Sequence, residues 1–212
     1  MALNTDFFRK VMGQFATGVT IATTRSQSGI AGLTVNSFTS VSLDPLLVLV
    51  CVDMRSQALP FFRESGIFAV NILTQEQEEL SNCFAMSSEE RYTYFCHAKH
   101  HIASTGAPIL DGVMGFVDAH ITAEYPGGDH VIFLGQVEAM GYDGHTLFVP
   151  GVNQAVSTLP VPPETTDHHN NGHTQEITQR SPLLYYRGQY HHLSRRYHHE
   201  HPELAPTQNR EE

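Results

Sequence analysis

From residue 19 to residue 140 the chain alternates apolar and polar positions in short runs, broken every few residues by turn-forming types. Residues 19–24 are rich in β-branched side chains, and the Ser-Gln-Ser-Gly after them predicts a hairpin into residues 30–33. Residues 38–43 alternate, Pro45 opens the next segment, and 46–52 form an uninterrupted apolar run of the kind a buried strand carries. Residues 67–73 and 131–140 predict further strands, as do 146–149, 183–186 and 190–193. In residues 116–125 the period of two puts Asp118, His120, Thr122 and Glu124 on one face and Val117, Ala119, Ile121 and Ala123 on the other. Helical spacing is confined to three places. These are residues 6–15, with Asp6 as cap, residues 56–63, stopped by Ser65-Gly66, and TQEQEELSNCF, capped by Thr74 with Gln77 or Glu78 as its third helical residue. Many short strands with few helices predict a mainly β fold with peripheral helices, an antiparallel barrel or sandwich.

Two stretches break the pattern. Residues 151–179 have the Pro, Thr, Asn and Gly content of a loop, and residues 194–212 lack apolar periodicity. One domain over residues 1–193, carrying an insertion at about 151–179 and followed by a flexible tail at 194–212, is the expected organisation. With 212 residues and 41% hydrophobic content the chain can bury a full core, and no apolar run is long enough to span a membrane. The first residues lack the basic-then-apolar layout of a signal peptide. Cys51, Cys83 and Cys96 form no Cys-x-x-Cys pair, which predicts reduced thiols in a cytoplasmic protein. A net charge of -10 with scattered basic residues argues against nucleic acid as partner.

The absences narrow the chemistry. The sequence holds no Gly-x-Gly-x-x-Gly after a strand, no phosphate-loop motif, no Gly-x-Ser-x-Gly elbow and no His-Glu-x-x-His. Three features remain. AGLTVNSFTS places hydroxyls, an amide and backbone N–H groups beside the buried run, suited to ring carbonyls or phosphate oxygens, although ordinary turns carry the same residues. YPGGDHVIFLGQVE sets His130 at a sheet end, where an imidazole can donate, accept or stack; a simple hairpin turn accounts for the same spacing. Eight of the 14 histidines lie at or beyond His168, but without an ordered ligand framework they define no metal site.

Six segments in order, FRKVMGQFATGVTIATT, GLTVNSFTSVSLDPLLVLVCVD, FAVNILTQEQEELSNCFA, GAPILDG, GGDHVIFLGQVE and PLLYYRGQYHHL, resemble the flavin reductases that serve two-component flavin-dependent monooxygenases. The resemblance covers about residues 6–193. It implies a split-barrel flavin-binding fold, usually a homodimer, in which NADH or NADPH reduces FAD or FMN. The reduced flavin then diffuses to a partner monooxygenase. It further implies that Thr34, Val35, Asn36 and Ser37 hold the flavin ring edge. Cys51, Asp53, Ser56 and Gln57 would line the ribityl and phosphate region, with Phe84 and Ala85 near the flavin and Arg91 at a phosphate. His130, as the orienting residue at the reaction centre, would serve the nicotinamide nucleotide together with Tyr186 and Arg187. Hydride transfer between two cofactors asks the protein chiefly for alignment, which agrees with the lack of a nucleophile or acid-base pair. A flavin-binding protein without turnover and a flavin-dependent ferric reductase are the alternatives. DMRSQAL, with Ser56 as its single hydroxyl, and the His-rich segments depart from the family pattern.

Overall fold

The computed structural model describes residues 4–142, 144–149 and 180–193. The expected insertion and tail lie outside the described residues. Helix α1 (Thr5–Met12) starts from Asn4, whose side chain accepts the Asp6 amide at 2.8 Å. The cap is therefore Asn4 in place of the expected Asp6, and the helix ends before Phe15. The short strand β1 (Thr17–Gly18) leads into the hairpin β2 (Thr20–Ser26) and β3 (Gly29–Val35), then β4 (Thr39–Leu43) and β5 (Leu46–Asp53). Helix α2 (Leu59–Ser65) stops at Gly66, whose φ of 67° is a left-handed geometry that glycine takes without a Cβ clash.

After β6 (Ile67–Ile72), the Thr74 amide donates to the Gln77 side chain in a capping box, which settles the register ahead of α3 (Glu78–Ala85). The polar section that follows holds α4 (Glu89–Tyr92), β7 (His100–Ile102) and β8 (Pro108–Leu110), too short to show a period in sequence. Two long strands, β9 (Gly115–Gly127) and β10 (His130–Tyr142), continue into β11 (His145–Phe148). A final hairpin comprises β12 (Leu184–Tyr186) and β13 (Gln189–His191).

The main sheet is antiparallel throughout, in the order β3-β2-β6-β9-β10-β5-β4, with β11 alongside β10. Among the described residues no ladder joins its two ends, so the barrel is split. The mainly β expectation is borne out. One core lies between the sheet and α2, where Phe62 stacks on Phe133 with ring centroids 5.8 Å apart. A second, built on Val19, Ile21, Leu73, Phe84, Phe95, Leu110 and Leu183, seats α3 against β2 and the final hairpin. That second core carries the wall of the candidate site.

Candidate functional site

The loop that leaves β3 and the end of β5 meet across the split. The Ser37 hydroxyl donates to the Cys51 carbonyl at 3.1 Å and accepts the Cys51 amide at 3.0 Å. The Thr34 hydroxyl donates to the Ser81 carbonyl of α3 at 2.7 Å. Much of the hydroxyl row thus holds the protein to itself. Asn36 is exposed, and no hydrogen bond engages its side chain among the described residues.

Two clefts meet at Thr34 and Ala85. The first, about 220 Å³, is lined by Val19, Thr34, Val35, Asn36, Ala85, Tyr185 and Tyr190. The second, about 420 Å³, runs from Leu33 and Phe84 to Asp53, Arg55, Ser56, Gln57, Ser87, Arg91 and Tyr92. Eight of the expected flavin-site residues line this joined cleft: Thr34, Val35, Asn36, Asp53, Ser56, Gln57, Phe84 and Ala85. A ninth, Arg91, lines it as well. Cys51 and Ser37 stand just behind them as the bonded pair. Burial pushes the Cys51 thiol pKa up.

Arg91 sets the electrostatics of the second cleft. Its residue is 7% exposed. Nε donates to the Gly32 carbonyl at 2.9 Å and Nη1 to the Met86 carbonyl at 3.3 Å. Among the described residues no carboxylate pairs with it, and burial lowers its pKa. Its guanidinium also lies 4.9 Å from the Tyr92 ring centroid. A buried cation held by carbonyls and a ring face, without a carboxylate, is an arrangement that an anion would complete. Gly32 allows it: a Cβ there would stand 2.7 Å from the Phe84 ring, so only glycine lets Phe84 close over this strand. Arg55 forks onto Asp53, with Nη2 2.7 Å from Oδ2, and holds that carboxyl well below the usual range.

The nicotinamide candidates lie elsewhere. His130 pairs in register with Asp53 across β5 and β10, but lines a separate cavity of about 200 Å³ with Met54, Arg63, Glu124, Pro126 and Val131. Its Nδ1 is 2.7 Å from Asp129 Oδ1, a contact that lowers the Asp129 pKa. Arg187 donates to the Gln14 side chain at 3.0 Å and lines a third cavity of about 470 Å³ with Arg9, Lys10, Gly13, Gln14 and Gly188. The Tyr186 hydroxyl also turns to Gln14. Tyr92 lines the second cleft, and Tyr185 and Tyr190 face the first, as register partners on β12 and β13 with ring centroids 5.6 Å apart. The Tyr190 hydroxyl lies 2.8 Å from Ser81 Oγ. Sequence reasoning missed Tyr185 and Tyr190. Alternation along the closing hairpin was the available signal for the tyrosines, since Tyr185 and Tyr186 must face opposite sides.

The reduced-thiol expectation is overturned for two of the three cysteines. Cys83 at the end of α3 and Cys96, with Cα atoms 6.1 Å apart, form a disulfide, and only Cys51 keeps a free thiol. The spacing of 13 residues matches no motif; the fold back through α4 brings the two sulfurs together.

The sequence profile of the flavin reductase like domain matches residues 12–194. An NADH-dependent flavin reductase of Rhodococcus sp is 38% identical over 143 residues, covering 66% of this chain and 78% of that protein. The reductase component of the flavin-dependent trigonelline monooxygenase of Acinetobacter baylyi is 38% identical over 67% of this chain, which spans only 48% of that relative's length. Among solved structures, flavin reductase PheA2 in its native state superposes with a TM-score of 0.67 at 30% identity, covering 91% of this chain and 99% of that one. The Streptomyces globisporus NADH:FAD oxidoreductase SgcE6, in complex with NAD and FAD fragments, gives 0.68 at 27% identity, covering 91% and 94%.

Proposed function

Because the chain belongs to the flavin reductase like family, we propose that it uses NADH or NADPH to reduce FAD or FMN and supplies free reduced flavin to a partner monooxygenase. The observation that carries this reading is the joined cleft. One end offers an exposed Asn36 amide between apolar and tyrosine walls, and the other offers a buried Arg91 without an anion. A flavin nucleotide has the matching polarity, a flat ring at one end and phosphate at the other. When bound, flavin supplies the hydride-accepting ring, and the protein's contribution is to hold and orient.

In this reading Thr34, Val35, Asn36 and Ser37 serve the ring end, with Ser37 acting through the Cys51 backbone. Asp53, Ser56 and Gln57 line the middle, and Arg91 takes a phosphate through its charged donors. Phe84 and Ala85 form the wall between the two ends. His130, fixed by Asp129, orients the nicotinamide from the neighbouring strand. Arg187, together with Arg9 and Lys10, gives a basic cavity suited to a dinucleotide phosphate, with Tyr186 beside it. Residues 1–193 serve as one domain.

We further take the working unit to be a homodimer. Phe7, Phe8, Val11, Met12 and Phe15 present an apolar stripe, and the Phe15 residue is 72% exposed. No helix of the described residues is long and apolar enough to cross a membrane, and a cytoplasmic site of action is part of the same reading.

The test is anaerobic NADH and NADPH oxidation with FAD, then FMN, as the varied acceptor. Turnover that depends on flavin is expected, with R91M raising the flavin KM about tenfold or more through loss of a charge-assisted hydrogen bond. Flavin binding without turnover would leave a carrier protein, and neither binding nor turnover would end the flavin reading.

A further inference from the structure

The Cys83–Cys96 disulfide encloses the residues that make the cleft wall. Phe84, Ala85, Ser87, Arg91 and Tyr92 all lie between its two ends. Neither cysteine is fully buried. The chain turns into Cys96 through three consecutive left-handed residues, Phe95, Cys96 and His97, with φ between 50° and 52°. L-residues adopt that conformation only when surrounding contacts impose it. The loop also has anchors that do not involve sulfur. Phe84 meets Phe95 edge-on at 5.0 Å, Arg91 donates to Gly32, and His97 meets Glu90 at 2.9 Å. Opening the disulfide would therefore loosen the wall and leave the fold standing.

We propose that Cys83 and Cys96 form a reversible redox site: closed, it holds the Arg91 wall in place for flavin; opened by a dithiol, it lowers flavin affinity. The inference rests on the flavin reading of the cleft. Opening proceeds by two exchanges. A thiolate of the reductant attacks one sulfur, the S–S bond breaks and the other cysteine leaves as thiolate. The second thiol of the reductant then resolves the mixed disulfide, so two electrons and two protons pass to the protein and the dithiol ends as a disulfide. Closing needs a peroxide. One cysteine thiolate attacks an oxygen, the O–O bond breaks, and a sulfenic acid and water result. The second thiolate displaces water from that sulfur to restore the S–S bond. Reduced flavin that meets dioxygen before an acceptor yields hydrogen peroxide, so the activity itself supplies the oxidant.

The full chain would be assayed after oxidation with hydrogen peroxide and after reduction with dithiothreitol, with thiols counted by alkylation and mass. Reduction is expected to raise the flavin KM about tenfold, the equivalent of ordering one or two side chains on binding, with kcat little changed. Peroxide should reverse it. C83S/C96S is expected to show the reduced-state KM under both treatments. Hydrogen exchange across residues 85–94 should rise on reduction whether or not flavin turns over. A loosened loop without flavin turnover in either state would thus overturn the flavin reading and leave the redox site standing. Equal KM and equal exchange in the two states, a redox response that survives in C83S/C96S, or alkylation of both thiols without reductant would each overturn the redox proposal.

Discussion

The Ser37 hydroxyl both donates to and accepts from the Cys51 backbone, while the neighbouring Asn36 side chain has no such engagement among the described residues. Two adjacent polar residues of the same sequence motif therefore carry different duties, and their substitutions should separate. S37A leaves a half-buried amide and carbonyl short of a partner and is expected to cost about 1–2 kcal/mol of stability. N36A should leave the melting temperature within about 1 °C, since an exposed substitution usually changes stability little, and raise the flavin KM severalfold. Thermal unfolding alongside flavin titration of NADH oxidation checks both; a reversed pattern would show that Ser37, and not Asn36, meets the ligand. The polar character of this loop was legible in sequence. Which hydroxyl was already in use was not, because the Ser37 partner lies 14 residues away on another strand.

At the scale of elements, β9 and β10 show how a bulge changes what a strand presents. Val137 pairs with Ala119 and Ala139 with Asp118, so Glu138 is the extra residue of a bulge. Alternation puts Asp118 on one face with His120, without saying what covers it. The segment before β8 folds over it. The Ser104 and Thr105 amides each donate to Asp118 Oδ2 at 2.8 Å, and the Asp118 residue is 0% exposed. The Ser104 hydroxyl donates to Glu138 at 2.8 Å, and His120 meets the same carboxylate. Burial, with repulsion from Glu138, raises the Asp118 pKa. A carboxyl whose folded pKa exceeds its unfolded value of about 3.9 contributes stability below that value and loses it as pH rises through the folded pKa. D118N is therefore expected to gain stability relative to the parent as pH climbs from about 4 toward neutrality. Melting curves across that range test it, and parallel curves would count against the buried-charge account.

At the scale of the whole molecule, α1 and β4 carry two of the exposed apolar patches among the described residues. Helix α1 buries none of its residues, and an isolated helix of its length is not stable in water. Strand β4 is an edge strand with Val41 48% and Leu43 86% exposed. A second copy of the chain covering α1 would account for both its formation and its composition. F8E with V11E is expected to convert a dimer to a monomer by light scattering and to lower the melting temperature. A parent chain that is already monomeric at micromolar concentration would rule the arrangement out.

Most strand positions, the glycine stop after α2 and Thr74 as a helix cap were readable from the sequence, because each is written in residues a few positions apart. The flavin-reductase segments were readable in their order, whereas β1, β7 and β8 were too short to show a period. The tertiary structure alone decided that Cys83 reaches Cys96, that Tyr185 and Tyr190 face the cleft while Tyr186 turns to α1, and that Asp118 is covered. It also set His130 and Arg187 in cavities apart from the joined cleft. The dividing line is physical. A local period or turn depends on neighbouring side chains and their own backbone, whereas burial and pairing depend on which distant segments fold over the same face.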